Sequence, residues 1–379
     1  EHDGAPRFGM LETVREFALE QLASAGEAEA TRSAHAEALL RQLDGKLPPE
    51  DWRRSMEGNP SQLERERENL RLALGWCADN CDVERGLRLA TRTRALWWQA
   101  GPRAEGLSWL CQFLDRAPDD LPAWVRLQAV YSASFLAAFL GDDVAARSLT
   151  AEGLALAERQ QDERAQALFL HNRALLLLRA EDLPAAQSVI ERLLALVRRV
   201  APTLERGPLM MLGTIAHLRG DAAQAAAYYQ ENRRDDPSSD RPYSLRNLGY
   251  LALEAGGPED AAARFRAALE DTWSRRMDST VLETINAVAA LARERWQWER
   301  AARLLGAALA GLERLGGVQP EPIGRRGRER TLASAQEQLG EPRFAAAYAA
   351  GRALSLGQAV AEALLTLEAP VQERESIDR

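Results

Sequence analysis

Lysine is almost missing. Lys46 is the only one among 379 residues, so nearly all positive charge is carried by arginine, a bias expected of a GC-rich bacterial genome. That lone lysine follows Gly45, but Leu40 stands where a G-x-x-x-x-G-K-[ST] phosphate loop needs glycine, and Leu47 where it needs Ser or Thr. The chain therefore has no P-loop. It also lacks a G-x-S-x-G elbow, an H-E-x-x-H helix and a Cys-x-x-Cys pair, so a stand-alone enzyme is not expected. Three cysteines, Cys77, Cys81 and Cys111, make no disulfide framework. Cys77 and Cys81, four apart, could put two thiols on one helical face, but the histidines His2, His35, His171 and His217 offer no matching spacing. Buried structural cysteines are the favoured reading over a metal site, and no cofactor is expected.

Aromatics amount to 6% of residues, and no alternating β-branched stretch is long enough to argue for a sheet. No run of eighteen apolar residues occurs and the N-terminus has no signal-peptide pattern, so a soluble, cytoplasmic chain without a membrane span is expected. With net charge −8, binding nucleic acid by bulk electrostatics is excluded. The one basic cluster, Arg325, Arg326, Arg328 and Arg330, is read as a solvated helix face or a partner for acids on a neighbouring helix.

What is present is a cadence. Helix-breaking pairs stand at Gly101-Pro102, Gly141-Asp142, Glu181-Asp182, Gly220-Asp221, Gly256-Gly257, Trp296-Gln297 and Gly340-Glu341, about every forty positions. Five residues beyond each turn lies a small residue: Gly106, Ala146, Ala186, Ala225, Ala261, Ala301 and Ala345. Seven before it, after an exception at Arg94, lie Ser134, Ala174, Gly213, Gly249, Ala289 and Ala333. Paired small positions let two helices approach closely. Repetition at this period predicts an all-α fold, a right-handed superhelical solenoid of antiparallel helix pairs related to the tetratricopeptide repeat.

Around this array the chain divides as follows. Residues 1–45 are read as junction helices, the first amphipathic over 7–25 and the second over about 27–43. Residues 46–82 are opening helices of the repeat domain, including one around Pro49–Glu57 and a strong helix at 61–80 with Ser61 as N-cap. Residues 83–354 carry about seven hairpins: 83–100 with 102–117, 121–140 with 143–160, 163–180 with 183–200, 206–219 with 221–234, 241–255 with 258–276, 279–295 with 298–315, and 325–339 with 342–354. Pro118, Pro202, Pro237 and Pro320 fall between hairpins, where they break no helix. The stretch Gly316–Gly324 is the longest break. Residues 355–379 are read as a capping helix and a frayed tail after Pro370.

In such an array the first helix of each pair lines an inner groove. Positions three before and one after each small residue should point into it. This gives Tyr131 and Phe135, His171 and Leu175, Met210 and Thr214, Arg246 and Tyr250, Asn286 and Ala290. His217 lies one turn further along, and Gln128, Tyr243 and Glu283 one turn earlier. The polar members, Gln128, Tyr131, His171, His217, Tyr243, Arg246, Tyr250, Glu283 and Asn286, form the candidate ligand-binding groove, with ordinary half-buried polar residues as the alternative. Trp97, Trp98, Trp109 and Trp124 are read as packing between helices rather than a stacking platform.

Three segments carry a family resemblance. The run Arg7-Phe8-Gly9-Met10-Leu11-Glu12-Thr13-Val14-Arg15-Glu16-Phe17-Ala18, continuing to Gly26-Glu27 with Arg32 and His35-Ala36, resembles the junction after the nucleotide-binding and winged-helix modules of bacterial STAND-type ATPase regulators. Leu63 to Trp76, with Glu66, Glu68-Asn69-Leu70-Arg71, Ala73-Leu74 and Trp76, is similar to the helix that opens their repeat domain. Gly351-Arg352-Ala353-Leu354-Ser355-Leu356-Gly357-Gln358-Ala359-Val360 is similar to the segment that closes it. The resemblance, which includes LuxR-type and maltose-activator-like regulators, implies repeats that sense a small-molecule or peptide effector, or a protein, and control an ATP-driven switch. With no P-loop, and no LuxR-type helix-turn-helix after Leu367, the chain is expected to be the sensor fragment of a longer protein. ATP and DNA would be bound by domains this chain does not contain, and self-association is open. A constitutive protein-interaction scaffold without a small-molecule ligand is the alternative.

Overall fold

The computed structural model describes residues 10–44, 60–99, 102–202, 205–231, 241–316 and 321–368. Several expectations fall outside them: residues 7–9 of the junction, the helix near Pro49–Glu57, Gly101 of the first turn, residues 232–234 of the fourth hairpin, Pro237, Pro320 and the tail after Pro370. Among the described residues the protein is all-helical. The opening part holds α1 (Glu12–Ser24), α2 (Ala28–Asp44), α3 (Pro60–Arg65), α4 (Arg67–Asp79), α5 (Val83–Arg92), α6 (Arg94–Gln99) and α7 (Arg103–Leu114). The middle holds α8 (Ala123–Leu140), α9 (Asp143–Arg159), α10 (Glu163–Arg179), α11 (Leu183–Val200), α12 (Arg206–Leu218), α13 (Ala222–Glu231) and α14 (Arg241–Glu254). The closing part holds α15 (Pro258–Ser274), α16 (Asp278–Glu294), α17 (Trp298–Arg314), α18 (Pro322–Leu339), α19 (Glu341–Arg352) and α20 (Leu356–Glu368).

Two residues make most of the turns. At Gly141, Glu181, Gly220, Gly256 and Trp296 the backbone is left-handed, with φ between 55° and 83°. The next amide then reaches back five residues: Asp142 N–H to the Ala137 carbonyl and Asp182 N–H to the Leu177 carbonyl, each at 3.0 Å. This ties off carbonyls that the helix end leaves unsatisfied. The same aspartates open the following helix. Asp142, Asp182 and Asp221 accept from the amides of Ala145, Ala185 and Gln224 at 3.0, 3.2 and 3.0 Å. The device recurs between pairs at Cys81 and Gln161, where Asp82 and Asp162 are the caps. A non-glycine residue held left-handed costs about 1–2 kcal/mol. Glu181 and Trp296 accept that cost: the Trp296 ring meets that of Trp298 edge-on at 5.4 Å, and the Glu181 carboxylate makes the ion pairs described below.

Turns this tight force the paired helices close, and the small residues allow it. Ser134, Ala174, Ala289, Ala146, Ala186, Ala225, Ala261 and Ala301 are fully buried. A Cβ built on Gly213 would lie 2.5 Å from the ring of Tyr229, and one on Gly249 2.3 Å from the ring of Phe265. Nine positions beyond each turn stand Thr150, Ile190, Tyr229, Phe265 and Leu305, all buried. Where the position seven before the turn is glycine, the one nine after it is aromatic; where it is Ala or Ser, the partner is smaller. Volume is conserved across the pair, as close packing demands.

The first hairpin departs from the pattern. Its first helix breaks at Thr93 into α5 and α6, and the Thr91 and Thr93 hydroxyls bond back to the carbonyls of Leu87 and Leu89, each at 2.8 Å. Such back-bonding bends a helix. Arg94, where the other pairs have a small residue, begins α6. The tryptophans nearby pack as expected: Trp97 is fully buried against Gly106, and Trp98 meets Phe135 edge-on at 5.3 Å.

The last hairpin differs from its expected form. At Gly340 φ is 70° but ψ is 160°, an extended exit, and α19 lies chiefly on α17 instead of pairing back on α18. Two glycines carry that contact. A Cβ on Gly306 would meet the Tyr348 carbonyl at 2.2 Å, and one on Gly351 the Arg303 carbonyl at 1.9 Å. Ala333 and Ala345, small by the cadence, are exposed. The final helix begins at Ser355 with reciprocal capping: Ser355 N–H to Gln358 Oε1 at 2.9 Å and Gln358 N–H to Ser355 Oγ at 3.3 Å.

The first junction helix also departs from a simple reading. α1 forms, but Met10, Leu11, Val14, Phe17 and Leu19 are exposed, so its apolar face is left uncovered by the described residues. Among the described residues one helix, α8, is long and apolar enough to cross a bilayer by length and composition, yet 72% of that stretch is buried inside the protein. It is a core helix.

Gly249→Ala should destabilise the chain by roughly 1–3 kcal/mol through overpacking on Phe265. The double variant with Phe265→Leu should recover most of the loss, and urea unfolding of the four proteins of this cycle measures both effects.

Candidate functional site

All nine candidate groove residues lie inside the protein. Gln128, Tyr131, His217, Arg246, Tyr250 and Asn286 are buried, and His171, Tyr243 and Glu283 are half-buried. The inner face expected to stand open is covered by two elements of the chain itself, α6 and α18. Contacts far apart in sequence hold this closure. Arg103 Nη1 on α7 donates to the Leu315 carbonyl, 212 positions away, at 3.4 Å. Arg325 and Arg326 on α18 pair with Glu181 in the turn between α10 and α11, and Arg325 also donates to the Arg179 carbonyl at 3.3 Å. An array in which each pair touched only its neighbours would have none of these.

Five of the candidates gather under the start of α18. Arg246 Nη1 on α14 lies 2.6 Å from Glu283 Oε2 on α16, its Nη2 is 3.4 Å from Glu321, and its guanidinium sits 5.2 Å from the Tyr243 ring. Tyr243 Oη is 3.1 Å from Thr280 Oγ1, and Asn286 Nδ2 donates to the Gly324 carbonyl at 3.2 Å. Tyr250 lies against Gly327, where a Cβ would come within 2.8 Å of its ring. Only glycine lets α18 lie so close. Burial pushes the Tyr250 phenol up to about 12 and the Tyr243 phenol higher still, and the paired carboxylates raise Arg246 against the cost of its burial. The other four sit apart from this cluster. His217 Nε2 is 2.8 Å from Glu254, which also meets Arg330 at 3.2 Å, and both partners hold the Glu254 carboxyl below its usual range. Tyr131 and His171 lie with Arg94 on the α6 side, and Gln128 is buried on α8.

Sequence reasoning missed several residues of this interior. Arg94 is buried with its guanidinium 4.8 Å above the Phe135 ring and 5.5 Å from that of Tyr131. Arg103 and Arg179 stand 5.8 and 5.9 Å from the ring of Phe139, whose centroid is 4.7 Å from that of Phe135. Burial pulls all three guanidiniums down, Arg103 to about 10. A signal for Arg94 was present, a charge at the one cadence position where every other pair has a small residue. Arg103, Arg179 and Glu321 gave none, because their role depends on how the array closes.

Two clefts border these elements. One of about 300 Å³ lies between α14, α16 and α18, lined by Tyr250, Glu254, Arg293, Glu294, Gly327 and Arg330 among others. Tyr250 alone of the nine candidates lines it. The other, of about 530 Å³, opens at the α4–α5 turn beside Cys81, Arg116 and Leu121. Among the described residues no group of three His, Cys, Asp or Glu is placed to hold a metal ion. Cys77 is buried, its thiol pushed up to about 12 by burial, while Cys81 is exposed at a left-handed turn.

No family model matches the chain. Among curated proteins it is similar to the "Putative HTH-type transcriptional regulator Rv0890c" of Mycobacterium tuberculosis and to Mb0914c of Mycobacterium bovis, which bears the same description. Each is 33% identical over 114 residues, a match covering 30% of this chain and 12% of the relative. The chain thus corresponds to a small part of these relatives, and the likeness supports a transcription-regulator context.

Two measurements test this interior. Burial, with the Arg94 charge adding to it, pushes His171 down to about 4. Between that value and the unfolded value of about 6.5, the unfolded chain binds a proton the folded chain refuses. Acidification from pH 7 to 5 should therefore cost about 2 kcal/mol through this residue, and His171→Gln should flatten that part of the urea-denaturation pH profile. Arg246→Met strands Glu283 and Glu321 without their shared cation. It should cost roughly 3–5 kcal/mol, and the triple variant Arg246→Met, Glu283→Gln, Glu321→Gln should recover much of it.

Proposed function

We propose that this chain is the sensing part of a STAND-type transcriptional regulator: a right-handed superhelical array of tetratricopeptide-like helix pairs that takes an effector on its inner face. Binding there shifts an ATP-dependent switch carried by other domains of the full-length protein, which also hold the DNA-binding function. In this reading the chain is not itself an enzyme, needs no cofactor and works in the cytoplasm. The observation that carries it is the chemistry of the inner face. First helices of the pairs turn Tyr131 and His171 on one side, and Tyr243, Arg246, Glu283 and Asn286 on the other, toward the interior, where a purely structural core would hold aliphatic side chains. The regulator context of the mycobacterial relatives supports the same reading.

Closure of that interior by α18 adds a mechanism. A helix seated on the inner face through Arg325, Arg326, Asn286 and Arg246 is an element with two positions, and an effector that competes for those contacts biases it. One observation favours a second reading. The uncovered apolar face of α1 suits contact with another protein or domain, as a constitutive scaffold would require.

Thermal-shift and calorimetric screening of sugars, nucleotides, organic acids and peptides separates the two. A sensor is expected to show one ligand class raising the unfolding midpoint by several degrees, as a ligand at about a hundred times its Kd contributes about 2.7 kcal/mol. Flat responses across the screen, with a specific partner recovered through Phe17 and Val14 of α1, would establish the scaffold instead.

A further inference from the structure

The interior described above is rich in cations. Arg94, Arg103 and Arg246 are buried there and Arg179 is half-buried, in a chain whose net charge is −8. Arg103 donates from Nε to the Trp98 carbonyl at 3.1 Å and from Nη1 to the Leu315 carbonyl at 3.4 Å. Arg246 has Glu283 and Glu321. Arg179 donates to the Ala138 carbonyl, while its Nη2 is 3.7 Å from the half-exposed Asp143 and its Nε meets no acceptor. Arg94 has neither a carboxylate nor a hydrogen-bond acceptor among the described residues. Its guanidinium is held by the faces of Phe135 and Tyr131, and the neutral imidazole of His171 is its titratable neighbour. A buried guanidinium ordinarily has an anion or several acceptors.

The arrangement is that of a site waiting for an oxyanion. Phe135 and Phe139 form a continuous aromatic platform, 4.7 Å between centroids, and hold Arg94 at one end and Arg103 and Arg179 at the other. For Arg94 the aromatic faces fix the guanidinium by stacking while leaving its N–H edge available. That edge is what recognises a phosphate or carboxylate in bidentate fashion. Glu321, at the start of α18, is close enough to act on Arg179 as well as Arg246, and its 3.4 Å separation from Arg246 is long beside the 2.6 Å of Glu283.

We propose that the inner face binds an anionic effector through a phosphate or carboxylate group held by the N–H edge of Arg94, beside the Phe135–Phe139 platform, with Arg103 and Arg179 adding positive potential, and that Glu321 partly offsets this positive interior when the effector is away. The proposal rests on the sensing role proposed above and adds the ligand's chemical class. It also links binding to the switch. An oxyanion entering the arginine cluster takes over interactions that the first turn of α18 otherwise supplies through Glu321. The contacts of Asn286 with Gly324 and of Arg325 with Glu181 then lose their anchor.

Calorimetry and thermal shift on the full chain test this with sodium pyrophosphate, citrate and glucose, all at matched ionic strength. Saturable binding of pyrophosphate or citrate is expected, and which of the two binds more tightly identifies phosphate or carboxylate as the cognate group. Arg94→Met should weaken that binding by about tenfold or more, without lowering the unliganded unfolding midpoint, because it removes a cation that has no anion. Glu321→Gln should strengthen it, and the surface variant Arg192→Gln should leave it unchanged. If Arg94→Met fails to fold, Arg94→Lys, which keeps the charge and loses the bidentate edge, should show the same weakening. Two results would overturn the proposal: neither anion binds beyond the effect of sodium chloride, or either binds equally well to the Arg94 variants. If neither anion binds but a neutral ligand from the wider screen does, the oxyanion site is lost and the sensing role stands. No ligand of any class would remove both.

Discussion

The two-residue turn is the constraint from which the rest of this structure follows. One residue in the left-handed conformation ends a helix, and the next, usually aspartate, caps the following one. Nothing remains for a longer connection, so consecutive helices must lie side by side from their first turn. That proximity admits only small residues at two positions, and their partners nine positions beyond the turn adjust in volume to match. Once these contacts are fixed, so is the face each first helix turns inward. The polar interior is thus a consequence of turn geometry.

The interior then sets its own demands. Guanidiniums and phenols away from water need partners inside the protein. Those of Arg246 and Tyr243 come from α16 and from Glu321 at the start of α18, the Gly324 carbonyl accepts from Asn286, and Gly327 is what lets α18 lie against Tyr250. Glu181 shows how the layers connect. It occupies a left-handed turn that glycine would fill more cheaply, yet its carboxylate pairs with Arg325 and Arg326, and this holds α18 across the inner face. A turn residue of one hairpin fastens a helix 144 positions later.

Much of this was legible in the sequence. The turns at Gly141, Glu181, Gly220, Gly256 and Trp296 were readable because left-handed positions and caps have strong local signatures, and the helical character followed from composition and spacing. The nine inner-face residues were identifiable from register. That they would be covered was not. Closure depends on the break at Thr93 and the seating of α18, neither of which has a periodic signal. The last hairpin shows the limit well: Ala333 and Ala345 obeyed the cadence, but ψ at Gly340 sent α19 onto α17, where Gly306 and Gly351 were the residues that mattered. Arg94 was visible as an exception, and its meaning appeared only when its neighbours from α8 and α10 were in place.

The central claim is that α18 closes the inner face and that this closure responds to what the interior holds. Amide hydrogen exchange over Pro322–Leu339, followed in the full chain with and without a ligand of the interior, tests it most directly. The account requires protection of α18 in the free chain comparable to that of α16. It also requires a change at Gly324–Arg330 on ligand binding, with α15 and α17 left as they were. Rapid exchange of α18 in the free chain, or a ligand that binds the interior without altering α18 at all, would contradict it.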